Sequence, residues 1–294
     1  MQIRRVLVAT AAAVIASTGL VACSSSDSSS SEAASDKSET ITIGTTDSNM
    51  KEWEVFQDLA KENGFTIELE NFSDYNTPNQ ALDQGELSMN KFQHLKFLAE
   101  YNKGNGTDLV PLAATEIYPL SIYWKDHSDT NGIEGQEVAI PNDSTNQGRA
   151  INLLVQQGLV TLKEADILTP TPADIDEGAS KVKVTPVDAA QTPTAYGEGK
   201  PAVINNSFLE RASIDPSSAV ATDDPNSTEA EPYINVFAVR AEDADNETYK
   251  ELAALWKDQS IADAVLESSG GTAVAVDKTP EELQEIMDRL ESQL

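Results

Sequence analysis

The sequence predicts an α/β fold that contains much parallel sheet and is divided between two lobes. Segments with the periodicity of strands alternate with helical segments from residue 41 to the C-terminus, which is the pattern of strands joined by helical crossovers. This stretch has about 255 residues, and that many α/β units suit two lobes better than one. No period of about 20–50 residues repeats, which excludes a solenoid.

The first elements are predicted from short local patterns. A strand is predicted at residues 41–44, which are rich in β-branched side chains. A helix over 50–63 is predicted by apolar residues that recur on one face, and Gly64 suits the position just after its end. These apolar residues are Trp53, Phe56, Leu59 and Ala60. Residues 65–69 alternate between apolar and polar side chains and predict the second strand.

The next helix is predicted from the signals at its beginning. Thr77 is typical of an N-cap, Pro78 of the first helical position, and Gln80 completes a capping box, so a helix should run to residue 85. Further strands are predicted at residues 108–113, 117–124, 137–140, 182–187, 201–205 and 234–240. Further helices are predicted at residues 146–157, 172–177, 188–196, 247–257, 260–268 and 280–293.

The chain is expected to cross between the lobes twice. It should leave the first lobe near residues 117–124 and re-enter it near residues 233–240. The first lobe should therefore comprise residues 41–117 and 235–294, and the second residues 118–234. Ahead of them we expect a signal peptide over residues 1–22 and a serine-rich flexible tether over 23–40, which lacks the large apolar residues needed for a core.

The N-terminal residues predict export and a lipid anchor. Arg4 and Arg5 precede an uncharged, largely apolar run over 6–22, which is typical of a signal peptide and short for a permanent membrane helix. The run ends in Leu20-Val21-Ala22-Cys23, which is similar to a bacterial lipobox, so Cys23 should become the lipidated N-terminus at the extracytoplasmic face of the cell membrane. The alternative is an ordinary secretory leader with an incidental cysteine.

The composition excludes several classes of function. The chain has 49 acidic residues against 20 lysines and arginines, a formal net charge of −29, which argues against sequence-independent binding of nucleic acid and against electrostatic docking on anionic lipids. One cysteine excludes an intramolecular disulfide framework and a thiolate-rich zinc site, and two histidines leave little material for a His-based metal site. We expect no cofactor.

The strongest local signal for a ligand site surrounds Arg149. A predicted strand ends at Ile140, polar residues follow, and Ser144 with Gln147 predicts a second capping box at the start of a helix. Free N–H groups at a helix N-terminus, with an arginine in the first turns, suit a carboxylate or another small anion. The alternative is that Arg149 pairs with one of the many surface acids.

Aromatic and amide side chains supply the other candidates. Tyr75 and the pair Phe92 and His94 are expected in loops after strands, where open α/β sheets bind ligands, although each could equally be ordinary core. Asn205 and Asn235 are expected at strand ends or at the passages between lobes. An asparagine offers a donor and an acceptor, which suits the charged groups of a zwitterion.

Motifs for catalysis are scarce. The sequence has no phosphate-binding P-loop, no H-E-x-x-H helix and no G-x-S-x-G elbow. Gly104-Asn105-Gly106 lacks the third glycine of a dinucleotide fingerprint and is interpreted as a turn, and His127 is interpreted as a loop residue. No residue is assigned a catalytic role.

Several short motifs stand in order along the chain: Phe72-Ser73-Asp74-Tyr75, Pro78-Asn79, Ala81-Leu82, Gly85-Glu86-Leu87, Phe92-Gln93-His94, Ile140-Pro141-Asn142-Asp143, Asn146, Gly148-Arg149, Ala190-Gln191, Ala202-Val203-Ile204-Asn205 and Pro232-Tyr233-Ile234-Asn235. Behind a lipobox-like cysteine, this order resembles the methionine-binding lipoproteins of the NlpA/MetQ type, the substrate-binding components of bacterial ABC importers. The resemblance extends from about Thr40 to the C-terminus.

The resemblance implies a type II periplasmic-binding-protein fold, in which two α/β lobes joined by two crossover segments close on an amino acid. It implies that Tyr75, Phe92 and His94 surround the thioether of L-methionine and that Arg149 clamps its carboxylate. Asn205 and Asn235 would contact the amino-acid backbone. The implied partners are an ABC permease and its ATPase.

The segments 44–49 and 206–208 depart from the family pattern, so two alternatives stay open. One is the same fold with a dipeptide or another apolar amino acid as cargo. The other is an exported enzyme, a lyase or hydrolase, that would use His94 as a base.

Overall fold

The computed structural model describes residues 39–165 and 167–294. The predicted signal peptide, the predicted lipidation site at Cys23 and the predicted tether up to residue 38 lie outside these ranges. None of the helices within the described ranges combines the length and the apolar character that crossing a bilayer requires.

The first sheet has five strands. Their bounds are Thr40–Thr45 (β1), Thr66–Asn71 (β2), Met89–His94 (β3), Val110–Ala114 (β4) and Asn235–Val239 (β11). The strand order is β2-β1-β3-β11-β4. β1 is parallel to β2 and β3, whereas β11 is antiparallel to both of its neighbours. The last strand therefore enters the sheet against the direction of the others.

The second sheet also has five strands and a similar mixed topology. Its strands are Ser121–Tyr123 (β6), Glu137–Pro141 (β7), Lys183–Val187 (β8), Ala202–Ile204 (β9) and Ala219–Thr222 (β10), in the order β10-β6-β9-β7-β8. β7 is parallel to β8 and β9, and β6 is antiparallel to β9 and β10. A short antiparallel ladder elsewhere pairs Glu116–Ile117 (β5) with Val274–Ala275 (β12).

Eight α-helices accompany the strands in the described part of the chain. They are Lys51–Glu62 (α1), Pro78–Asp83 (α2), Leu95–Asn105 (α3), Ser144–Gln156 (α4), Thr192–Gly197 (α5), Glu247–Ala254 (α6), Gln259–Ser268 (α7) and Pro280–Glu291 (α8). The helix predicted at 172–177 is a single 3-10 turn, Pro172–Asp174.

Each sheet carries its own apolar core, so the two sheets with their helices form two lobes. In the first lobe, Trp53 and Phe56 of α1 pack edge-on against Phe237 and Trp256, with ring centroids 5.0–6.5 Å apart. In the second lobe, aliphatic side chains of β7 and α4 fill the core. The helical face that the sequence predicted is confirmed, and Gly64 has the positive φ expected after α1.

The structure corrects both predicted capping boxes. The side chain of Thr77 makes no capping hydrogen bond as the N-cap of α2, because its backbone is already helical. At α4 the N-cap is Asp143, whose carboxylate accepts the N–H of Asn146 at 2.9 Å. Ser144 is the first helical residue instead, and its hydroxyl bonds to Glu100. An aspartate at this position satisfies one of the N–H groups that a helix leaves unpaired at its start.

The structure also corrects the expected position of Phe92 and His94. They do not follow a strand but lie within β3, and His94 is its last residue and the N-cap of α3. The sequence missed this helix and β3. The interpretation of residues 104–106 as a turn was wrong for the same reason, because α3 continues to Asn105 and ends at Gly106 with a positive φ.

Two segments carry the chain between the lobes. The outgoing segment includes Tyr118–Leu120 and interrupts the strand predicted at 117–124, leaving the separate strands β5 and β6. The returning segment runs from Asp223 to Ile234, between β10 and β11. This two-lobed arrangement agrees with the predicted fold class, whereas the lobe boundaries at 117/118 and 234/235 stay a prediction.

Candidate functional site

All six residues predicted to bind ligand line one cavity between the lobes. They are Tyr75, Phe92, His94, Arg149, Asn205 and Asn235. Its wall also includes residues that the predicted set did not contain, namely Gln93, Phe97, Tyr118, Pro119, Leu120, Asn146, Asn206 and Ser207. A concave site lined by aromatic side chains and a few polar groups is typical of small-molecule binding.

One end of the cavity is aromatic. Tyr75 enters from the loop after β2, Phe92 from β3 and Phe97 from the first turn of α3. The three ring centroids lie 5.8–6.0 Å from each other. Such edge-on and tilted rings form an apolar wall that can surround a side chain. Phe97 was missed because the sequence did not predict the helix that carries it.

His94 is a neutral hydrogen-bonding residue in this wall. Its Nδ1 accepts the backbone N–H of Phe97 at 3.1 Å, so the ring proton belongs on Nε2, which lies 3.4 Å from Oδ1 of Asn146. Burial, together with the positive charge of Arg149, lowers the pKa of His94 to about 3. The imidazole therefore stays uncharged at neutral pH and presents a donor rather than a cation.

Asn146 links several groups of the site. Its Oδ1 accepts from Nδ2 of Asn205 at 2.9 Å, and its own Nδ2 donates to Oδ1 of Asp143 at 3.0 Å. Asn146 is 2% exposed and sits in the first turn of α4. Asp143, the N-cap of α4, thus fixes the amide of Asn146, which in turn orients the amide of Asn205 in the cavity.

Arg149 lines the cavity and also pairs with an acid. Its Nε donates to Oδ2 of Asp223 at 2.7 Å, and its Nη2 donates to Tyr118 O at 3.0 Å. The guanidinium lies 4.0 Å above the ring of Tyr233. The ion pair, one of the two interpretations that the sequence left open, is therefore present, and the same guanidinium lines the cavity.

Two amide atoms of the cavity wall are buried without a partner among the described residues. They are the acceptor Oδ1 of Asn205 and the donor Nδ2 of Asn206. On the opposite wall, Asn235 pairs with His94 in the register of β11 and β3, and its Nδ2 donates to Tyr233 O at 3.4 Å. A buried polar atom that lacks a partner is costly, so the cavity favours a ligand that offers both a donor and an acceptor.

Hydrogen bonds between the lobes close the cavity. Near Tyr75, Nη2 of Arg211 donates to Ser73 O at 2.9 Å, and Asn49 donates to Glu210 at 2.7 Å. Near α3, Lys96 donates to Thr169 at 2.9 Å. The described residues contain no group of three or more His, Cys, Asp or Glu side chains that could hold a metal ion.

Comparison with known proteins gives consistent matches. The family model described as NlpA lipoprotein matches residues 41–276. The chain is 33% identical over 226 residues to the D-methionine-binding lipoprotein MetQ of Salmonella typhi, covering 75% of this chain and 82% of that protein. The structure of protein PG110 from Staphylococcus aureus has a TM-score of 0.80 and 37% identity, with 85% of this chain and 99% of that chain covered. The substrate binding protein of a methionine transporter from Streptococcus pneumoniae has a TM-score of 0.74 and 31% identity, with coverages of 81% and 96%.

Proposed function

The chain belongs to the NlpA lipoprotein family, and from this premise we propose that it binds L-methionine and delivers it to an ABC importer. The observation that carries the proposal is the convergence of all six motif residues on one cavity. That cavity has aromatic rings at one end and an arginine with several amides at the other. Methionine has the matching arrangement. Its thioether lies at one end of the molecule, and its ammonium and carboxylate groups lie at the other.

The proposed contacts divide the ligand between the two ends. Tyr75, Phe92 and His94 surround the thioether, and burying that side chain is worth about 1.5–3 kcal/mol, with up to ~1.5 more from each sulfur–aromatic contact. Arg149 binds the carboxylate in a charge-assisted bond of about 1.5–3 kcal/mol. Asn205 and Asn235 contact the α-amino and α-carboxylate groups.

The location of the protein follows from its leader. We propose that Cys23 carries the lipid that anchors the protein to the extracytoplasmic face of the cell membrane, where a serine-rich tether lets the folded body reach an ABC permease and its ATPase. The family description and the name of the Salmonella relative both contain the word lipoprotein, which supports the anchor. Mass spectrometry of Cys23 in protein from a membrane fraction tests it, and an unmodified thiol would contradict it.

The first test of cargo is native mass spectrometry of the protein as purified. We expect an additional mass of one methionine. Titration calorimetry then compares L-methionine, D-methionine, leucine and methionine-containing dipeptides on the ligand-free protein. Tighter binding of leucine or a dipeptide than of either methionine enantiomer would overturn the cargo and favour the second interpretation of the family fold.

A pair of variants tests the site. Arg149→Ala and Asn235→Ala should each weaken L-methionine binding by about tenfold or more, because each removes a polar contact to the charged end of the ligand. Asp224→Asn is the matched control, since Asp224 is exposed and bonds locally to Asn226. Undiminished affinity in both cavity variants would show that methionine binds elsewhere.

An enzyme with His94 as its base is the competing function. The lowered pKa of His94 and the use of Nδ1 as an acceptor from Phe97 leave little basicity for proton abstraction. The curated relative from Salmonella is named as a binding protein, which also supports binding without turnover. Formation of a product when the protein is incubated with amino acids or dipeptides would contradict binding without turnover.

A further inference from the structure

The carboxylate of Asp223 and the carbonyl oxygen of Tyr118 together occupy three of the five N–H groups of Arg149. Besides the Nε bond to Oδ2, Nη2 donates to Oδ1 of Asp223 at 3.2 Å and to Tyr118 O at 3.0 Å. A guanidinium has five N–H groups, and these bonds leave those of Nη1. No bond from Nη1 occurs within the part of the chain that the structure describes, so Nη1 is what Arg149 can offer to a ligand.

Asp223 is fixed by the segments that join the lobes. Its Oδ1 also accepts the N–H of Leu120 at 2.8 Å, and the backbone N–H of Asp223 donates to Leu120 O at 3.1 Å. The side chains of Arg149 and Asp223 are only 7% and 15% exposed. Because Asp223 is tied to the outgoing segment, it cannot swing aside freely, and its negative charge acts on the cavity with little screening by water.

Asp223 does not line the cavity, but its carboxylate contacts the Arg149 side chain that does. His94 is neutral at pH 7, and burial raises the pKa of both Tyr75 and Tyr118, so these phenols stay protonated. Among the described residues, Arg149 is therefore the single cation of the lining, and the carboxylate of Asp223 behind it balances its charge. A ligand that carried only a negative charge would leave that charge uncompensated beside Asp223.

A positive group on the ligand has acceptors in the same cavity. Oδ1 of Asn205 is buried and unpaired within the described residues. Behind Ser207, which lines the cavity, lies the carboxylate of Asp47, whose Oδ2 accepts from the Ser207 hydroxyl at 3.4 Å. An ammonium group can therefore be hydrogen-bonded and electrostatically favoured, whereas an isolated carboxylate meets a second carboxylate.

We propose that Asp223 is a specificity-determining residue that makes the cavity select zwitterions over anions of the same shape. The inference rests on the proposed function, since it concerns the charge state of the cargo. Asp223 exerts this selection through its charge, which neutralises the guanidinium of Arg149 and attracts the ammonium group that only the zwitterion carries.

The test compares L-methionine with 4-methylsulfanylbutanoate, which is methionine without its ammonium group. Dissociation constants are measured by calorimetry at pH 7 and constant salt on the unsubstituted protein, Asp223→Asn and Asp224→Asn. The quantity of interest is the ratio of the two constants, anion over zwitterion. Asp224→Asn removes the same formal charge one residue away, at an exposed position.

We expect Asp223→Asn to lower the ratio by about tenfold or more. The repulsion between Asp223 and the ligand carboxylate is common to both ligands, whereas the attraction of Asp223 for the ammonium group acts on methionine alone and is lost in the variant. Asp224→Asn should change it by less than about twofold, because water and salt screen an exposed charge. An unchanged ratio in Asp223→Asn, with methionine still bound by the unsubstituted protein, would overturn the inference and leave the proposed function standing.

A lack of methionine binding by the unsubstituted protein would overturn both. If Asp223→Asn does not fold, as judged by circular dichroism, Asp223→Ser supplies the same comparison, because its hydroxyl can still accept the N–H of Leu120. The same drop in the ratio is then required.

Discussion

Replacing Glu52 with glutamine removes a carboxylate that the first lobe buries at a cost. Glu52 lies in α1 and is 0% exposed, and neither of its oxygens has a hydrogen-bond partner of good geometry among the described residues. Burial raises its pKa from 4.5 to about 7, an effect that the nearby Lys91 opposes and Asp47 reinforces. The folded protein therefore favours the protonated form of this side chain.

The magnitude follows from the difference between the folded and unfolded pKa. Between pH 4.5 and about 7 the folded state retains a proton that the unfolded chain has lost, so stability falls as the pH rises through this window and is constant above it. At about 1.4 kcal/mol per pKa unit, the total loss is about 3 kcal/mol. Glu52→Gln does not ionise, so its advantage should grow from near zero at low pH to about that value.

Urea unfolding of the ligand-free protein at pH 4, 6 and 8 measures this advantage. Glu54→Gln is the matched control, because Glu54 is exposed on the same helix, and we expect it to change the free energy of unfolding by no more than about 0.5 kcal/mol at each pH. A constant difference between Glu52→Gln and the unsubstituted protein across the three pH values would refute the reasoning.

Three further predictions concern the cavity, its closure and the core. Binding of L-methionine should not change between pH 5.5 and 8, because His94 stays neutral across that range with a pKa of about 3; calorimetry showing a step in affinity near pH 6.5 would contradict this. Arg211→Ala removes the bond to Ser73 O and should raise the dissociation rate of methionine by about two- to tenfold, measured by stopped flow, whereas an unchanged rate would show that this contact does not hold the lobes closed. Gly44→Ala should destabilise the protein by about 1–3 kcal/mol, because the added Cβ would lie 2.5 Å from Cδ1 of Leu87; an unaltered melting temperature would mean that the first lobe adjusts without strain.

The sequence predicted the helices and strands whose apolar spacing is regular, and it failed where buried residues are polar. Every residue of β3 is buried, yet Asn90, Lys91, Gln93 and His94 give it no apolar pattern. These side chains are satisfied by distant partners, such as Asn79 for the two amides. Such pairing depends on tertiary contacts, which neither propensity nor periodicity contains.

That Asn205 and Asn235 line the cavity could be predicted, because their motifs mark positions at strand ends. Asn205 directly follows β9, and Asn235 begins β11. Asp223 could not be predicted in the same way, because one carboxylate among 49 acidic residues has no local signature. Its importance comes from the approach of the two connecting segments, which only the folded chain brings together.

The negative charge of the whole chain and the charge balance at Arg149 both disfavour anionic ligands. A net charge of −29 repels small anions from the surface at low salt and has no net effect on a zwitterion, because its two charges cancel at a distance. At the cavity, Asp223 neutralises the guanidinium of Arg149 from behind, so the proposed selection against anions also acts on a ligand that has already entered. The association rate of L-methionine should therefore stay constant between low and physiological salt, while that of 4-methylsulfanylbutanoate rises as salt screens the surface. Equal salt dependence for both ligands would mean that the surface charge takes no part in selecting the cargo.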